Sequence, residues 1–304
     1  MNTSKYSNIA MIIALNDLRE APTRQTITEP ITGPDQRVKG SPMPLQANMQ
    51  DTPHGRMSVV VSTETGASAR AFYRNDFPPE LSKPIATLMA ANEGFNGIVN
   101  NNANTLLPTV VDQHNRVAVV NTLRAPFGAT QAALITYGQV TAKAQIEAMS
   151  VTPANASNQP IRNRAVLAFD NANMPDKARM LMEASFQQLA GLVEAGCFDN
   201  IPGTANPLPD DLVALGKDRY MLFNHAAKTG MAADHPLKPT ADNPAQFGVD
   251  EAAVLADAQT GLDNLKARSR HFANGSQLLR DVITAVSVAC SVNTNDAFAL
   301  LTGN

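Results

Sequence analysis

Between residues 21 and 56 the chain carries Pro22, Pro30, Pro34, Pro42, Pro44 and Pro53. Each proline fixes its own φ, removes a backbone donor and pushes the residue before it out of the helical region. Neither a helix nor a central strand propagates through such a stretch, and its apolar residues show no periodicity. The stretch therefore reads as an extended arm. At about 3.1 Å per residue its roughly 36 residues span on the order of 110 Å, enough to leave the body and lie on a neighbour. Before it, Tyr6, Ile9, Ile13 and Asp17 recur at helical spacing with Ile12 on the apolar side, which predicts a short amphipathic helix over residues 2–20.

Beyond the arm the signals are mixed, then helical. Val59, Val60 and Val61, the turn-prone Glu64-Thr65-Gly66 and Ala71-Phe72-Tyr73 predict a β-hairpin over residues 57–74. Leu81, Ile85, Leu88 and Met89 predict a helix with Pro84 in its first turn, followed by a turn at Asn96-Gly97 and a loop through residues 100–104. Residues 109–111, 117–123, 133–140 and 164–169 carry strand signal, with a helix at 141–149. From Pro175-Asp176 the period becomes helical, through Ala178, Met182, Phe186, Leu189 and Val193 to a cap at Gly196. A helix over residues 210–227, a polar connection over 229–248 and a helix from Asp250 to near Asn274-Gly275 come next. Leu279, Val282, Ile283, Val286 and Cys290 then fit a separate buried helix, and residues 296–301 a terminal one. The expected fold is α+β: an extended N-terminal arm, a small β-containing region and a predominantly α-helical C-terminal half. The expected regions are 1–56 (helix and arm), 57–169 (mixed α/β) and 170–304 (mainly α-helical).

Motif spacing excludes several chemistries. No two of the 17 glycines are separated by one residue, so the dinucleotide turn G-x-G-x-x-G cannot be written. Gly191 and Gly196 have the P-loop spacing but are followed by Cys197 rather than Lys, and no pair frames a nucleophile elbow. The five histidines are followed by Gly55, Asn115, Ala226, Pro236 and Phe272, which removes the H-E-x-x-H and H-x-E zinc signatures. Cys197 and Cys290 lie in apolar surroundings and read as reduced, metal-free thiols. No catalytic, cofactor-binding or metal-ligating residue is accordingly expected. The remaining acid and imidazole groupings are Asp112 with His114, and His225 with Asp234 and His235; solvated loop histidines explain both. Asp210-Asp211 suits a helix start, while Arg268, Arg270 and His271, like Lys217 and Arg219, suit helix ends.

No apolar run is long enough for a membrane span, and Ile9 to Leu15 leads into Asn16, Asp17, Arg19 and Glu20 rather than a signal cleavage site. The chain holds 46 Ala and 27 Asn against no Trp and 4 Tyr, a balance that suits close packing more than an aromatic-lined pocket. Such low-charge, amide-rich composition is associated with virion shell and tail proteins. Residues 1–165 contain 14 basic and 11 acidic side chains, a net of +3, and residues 166–304 contain 10 and 16, a net of −6. That weak positive half, with few aromatics, disfavours sequence-specific nucleic-acid binding. Opposite halves instead favour head-to-tail contact between copies.

The expectation is a non-enzymatic, self-assembling structural protein of a phage or viral particle, capsid or tail, located in the virion and assembled in the host cytoplasm. Its partners would be copies of itself and other particle proteins. Met182, Phe186, Leu189, Phe298 and Leu301 are the candidate apolar anchors. The competing expectation is a cytoplasmic soluble enzyme or a secreted effector with a site dispersed in sequence, gathering Asp112, His114 or His225.

Overall fold

The computed structural model describes residues 45–199 and 208–303. The helix expected at residues 2–20 and the arm up to residue 44 lie outside the described residues. What is described is α+β: one small antiparallel sheet and otherwise helices. It divides into two compact units, residues 45–140 with 269–303 and residues 141–199 with 208–268.

The first unit holds the sheet, in the order β1 (Leu45–Thr52), β2 (Gly55–Ser62) and β3 (Ser68–Arg74). Residues 45–56 thus belong to the sheet rather than to an arm. Pro42, Pro44 and Pro53 bracket a proline-free strand, and Pro53 occupies the two-residue turn that joins Thr52 to Gly55. Gly55 is required there: its φ is +146°, and a Cβ would lie 2.0 Å from the Tyr73 carbonyl oxygen. Period-2 alternation buries Leu45, Ala47, Val60, Ala69, Ala71 and Tyr73 on one face and leaves Met57, Val59, Val61 and Phe72 half-buried on the other.

The buried face packs on α1 (Pro79–Thr105), whose buried positions Leu81, Ile85, Leu88, Asn92, Phe95, Asn96 and Val99 follow steps of three and four. The helix therefore runs straight through Asn96-Gly97 and residues 100–104, where turn and loop were expected. Tertiary contact overrides local preference: Asn100 Oδ1 accepts from the Ala47 N–H at 2.8 Å and its Nδ2 donates to the Ala47 carbonyl at 2.6 Å, while Asn96 Nδ2 donates to Ser58 Oγ at 2.9 Å.

The strand signals at 109–111, 117–123 and 133–140 are also overturned. These residues form α2 (Pro108–Ala118), a π-helical turn (Val119–Leu123) and α3 (Arg124–Met149). Val111, Asn115, Ala118, Leu123, Phe127, Thr130, Leu134, Tyr137 and Thr141 are buried at helical intervals. Three of them are polar, which is why a count of apolar residues misses the period. The π turn precedes Pro126, which lacks the N–H an unbroken helix would use.

The expected helix break at Asn274-Gly275 is absent as well: α8 runs without interruption over Glu251–Ala289, and α9 (Thr294–Thr302) ends the chain's described part. Gly275 is a notch, since a Cβ there would meet Leu134 Cδ2 at 2.4 Å; Gly138 on α3 takes the Phe272 ring in the same way, at 2.5 Å. Close helix approach, not termination, explains both residues.

The second unit contains α4 (Gln159–Asn171), α5 (Met174–Glu183), α6 (Phe186–Glu194), α7 (Asp210–Thr229) and the first part of α8. Residues 164–169, expected as a strand, lie within α4. The helix expected from Pro175 onward is two helices, because Ser185 begins a new one: its N–H donates to Gln188 Oε1 at 2.7 Å. Gly196, at φ +72°, caps α6 as its position implied.

The helical glycines divide into two kinds with opposite expected substitution effects. At Gly191 a Cβ would stand 2.8 Å from Arg162 Cα and 2.9 Å from its carbonyl oxygen, and backbone cannot yield as a side-chain tip can. Gly191→Ala should therefore destabilise by about 1–3 kcal/mol despite better helix propensity. Gly94 and Gly97 are exposed on α1 with nothing within 4 Å of an added Cβ. Gly94→Ala should stabilise by up to about 1 kcal/mol. Urea midpoints of the two variants against the parent check both signs.

Candidate functional site

The sequence-selected groups are dispersed by the fold. Asp112 and His114 lie on α2; Asp112 Oδ1 accepts from Ser291 Oγ at 3.2 Å, and His114 is exposed on another side of the helix. His225 on α7 packs against Gly261 of α8, where an added Cβ would meet its Nε2 at 2.4 Å. His235 lies 3.2 Å from Asp257 Oδ2 rather than pairing with Asp234, which is exposed. Among the described residues no three His, Cys, Asp or Glu side chains gather in a way that could hold a metal ion.

The other selected groups also have local explanations. Asp210 and Asp211 occupy the first turn of α7, behind Pro209 at the cap position. Arg268, Arg270 and His271 are interior to α8, so they do not sit at a helix end, and His271 packs near Phe77 with ring centroids 6.4 Å apart. Lys217 and Arg219 are interior to α7, and the Arg219 guanidinium lies 5.5 Å from the Phe223 ring centre. Both cysteines are free thiols; burial pushes the Cys290 pKa up to about 12, which keeps it protonated and unreactive. Of the expected anchors, Leu189 and Leu301 are core residues and Phe186 stacks on Tyr220, while Phe298, which meets Phe127 edge-on, and Met182 are both exposed.

Two polar clusters that sequence reasoning missed do recur in form. In the second unit Tyr220, Asn224 and Lys228 stand four residues apart on one face of α7 and reach the C-terminal end of α3. Tyr220 Oη donates to the Ser150 carbonyl at 3.0 Å, Asn224 Nδ2 to the carbonyls of Ala148 at 2.7 Å and Ser150 at 3.1 Å, and Lys228 Nζ to that of Glu147 at 2.8 Å. In the first unit Asn115 Nδ2 donates to the Ala289 carbonyl at 2.7 Å and Arg116 to that of Cys290 at 3.4 Å, at the end of α8; Asn115 itself accepts from Asn102 at 2.8 Å. A helix end leaves carbonyls without partners, and in both places a polar row on a second helix supplies the donors.

The first of these clusters contains a close contact between Lys228 Nζ and Ser150 Oγ. Lysine and serine at hydrogen-bond distance form a nucleophile and base in some hydrolases. Here Nζ also donates to the carbonyls of Glu147 at 2.8 Å and Ser150 at 3.1 Å, which ties the lysine to the C-terminal end of α3. The contact caps a helix.

An open groove of about 440 Å³ runs between α4 and α6, past Val166, Leu167, Gly191 and Glu194, with Arg162 at its floor. The Arg162 side chain is 2 % exposed and its donors are directed inward: Nη1 to the Thr152 carbonyl at 3.0 Å and Glu194 Oε2 at 3.1 Å, Nε and Nη2 to Gln187 Oε1 at 3.2 and 3.0 Å. A guanidinium bound this fully to the protein holds two helices and a loop together rather than an anion.

No protein family, curated protein or solved structure matches this chain.

Proposed function

We propose that this chain is a non-enzymatic structural protein that assembles with copies of itself, as a capsid or tail component of a phage or viral particle. Its partners are neighbouring copies, met head to tail, and other proteins of the particle; its place is the virion, after assembly in the host cytoplasm. The observation that carries the reading is the exposure of large aliphatic side chains along ordered helix faces. On α2, Leu107 before the helix, Val110 and Val117 follow one another on one side, at 73 %, 39 % and 50 % exposure. On α4, Leu167 is 65 % exposed, and Ile161, about 120° away around the helix, 45 %. Apolar residues that recur along a face mark a surface made to be covered, whereas isolated ones carry no such meaning. The opposite net charges of the two sequence halves support unlike surfaces meeting, which closes into rings or continues into shells and tubes.

Leu107→Glu combined with Val117→Glu tests the reading. Both positions are exposed, so the circular dichroism spectrum and unfolding midpoint should stay within about 0.5 kcal/mol of the parent. The assembled fraction, followed by light scattering, should fall. Unchanged assembly would contradict the use of this face.

A further inference from the structure

The helical run that begins at Pro108 keeps one face inward although its pitch changes on the way. Val111, Asn115, Val119, Leu123 and Phe127 are buried at successive steps of four. In a regular α-helix each such step overshoots by about 40°, so four of them would swing the buried face about 160° round. The π turn over Val119–Leu123 takes in one extra residue and absorbs most of that rotation. The opposite face is thereby kept in line too, and it stays exposed from Leu107 to Val140, all within the first unit. No Asp, Glu, Lys or Arg is exposed among residues 107–140, while Ile135 and Val140 are each 52 % exposed. Such a face offers no charge to nucleic acid or to a charged protein surface; what suits it is another uncharged helix face.

We propose that this face is covered by the same face of a second copy, the two helices antiparallel and related by a two-fold axis at Asn121. The inference rests on the self-assembly reading and gives its exposed aliphatic face an occupant; the head-to-tail contact then uses other surfaces. The order of residues carries the choice of partner. Counted outward from Asn121 in the two directions, large and small positions are exchanged: Val117 is matched by Ala125, His114 by Gly128 and Val110 by Ala132. A two-fold partner therefore sets each of these large side chains over a small residue, twice over, and nothing stands within 4 Å of where a Cβ on Gly128 would lie. Leu107 and Ile135 meet at the two ends, where crossing helices diverge and leave room for a large pair. Asn121 is the middle residue of the π turn, so both halves share the change of pitch equally. On the axis it faces its own copy; an amide both donates and accepts, and one polar residue in an apolar seam fixes the register. The antiparallel sense also sets the two helix dipoles in opposition.

The test places cysteines at exposed positions of the full chain and adds an oxidant, with the parent, which keeps Cys197 and Cys290, as the control. Asn121→Cys should give a disulfide-linked dimer as its main product, because the axis brings the two thiols together. Val110→Cys alone and Ala132→Cys alone should link no more than the parent, since in each case the two thiols lie about 33 Å apart along the paired helices. Their mixture should give the linked dimer. A chain carrying both substitutions should stop at the covalent dimer. A ladder of larger linked species from that double variant would make the contact head to tail and overturn the two-fold pairing. Linkage of Val110→Cys alone would make the helices parallel and overturn it as well. Particles that form without linkage above the parent in any variant would mean that another segment or another protein covers the face, and would overturn the contact while leaving self-assembly standing. Dimers linked through Asn121→Cys with no larger particle would uphold the contact and contradict the particle reading. A parent that stays monomeric would overturn both.

Discussion

Arg162→Ala should lower stability by on the order of 3–5 kcal/mol, the range for breaking a buried, hydrogen-bonded ion pair. The substitution removes the donors of the Thr152 carbonyl, Gln187 and Glu194 at once and opens a hole beneath α6. Glu194→Gln should cost far less, because that carboxylate is half in solvent and an amide oxygen can still accept. Arg162→Met should fall between the two, since its side chain refills part of the space that the arginine stem occupied. Equilibrium urea unfolding of the three variants gives the order directly. An Arg162→Ala loss no larger than that of Glu194→Gln would mean the guanidinium is not the tie between α4, α6 and the Thr152 segment.

Asn224→Asp should be nearly as damaging at neutral pH, by about 2–4 kcal/mol. Asn224 is fully buried and its Nδ2 donates to the carbonyls of Ala148 and Ser150; a carboxylate would place charge against those oxygens at the negative end of α3. The new acid would have its pKa raised by folding, so its penalty is absent below the unfolded carboxyl value, near 3.9, and grows as pH rises through the folded value. The loss should accordingly shrink on acidification when measured against the parent at each pH. Lys228→Met, in the same row but exposed, should cost no more than about 1 kcal/mol.

The sequence made the β2–β3 hairpin legible because its valines lie in one short run between turn residues, and local propensity and tertiary environment agree there. It made α5 to α9 legible where apolar residues alone carry the helical period. Several of the failures share one cause. Asn92, Asn96, Asn102, Asn115, Thr130 and Thr141 are buried on helices, and propensity reads Asn and Thr as turn or strand formers. The side chains of Asn96, Asn102, Asn115 and Thr130 instead bond across to another element, as Asn100 does to β1. The same chemistry explains part of the amide-rich composition. Glycine misled in a similar way: Gly275 looked like a helix end and is a packing notch. Of the candidate groupings, the acid and imidazole residues could be picked out by type, but the row Tyr220, Asn224 and Lys228 could not, because its meaning lies in where α3 happens to end.

Self-assembly is the central claim, and the mass of the full chain in solution tests it most directly. Sedimentation across a wide range of concentrations, with electron microscopy of the largest species, should show particles well above the 32.4 kDa of one chain. They should form more slowly as salt is raised, because modest, rim-exposed charges steer association more than they hold it. A chain that sediments as a 32.4 kDa monomer at every concentration and ionic strength would contradict the account.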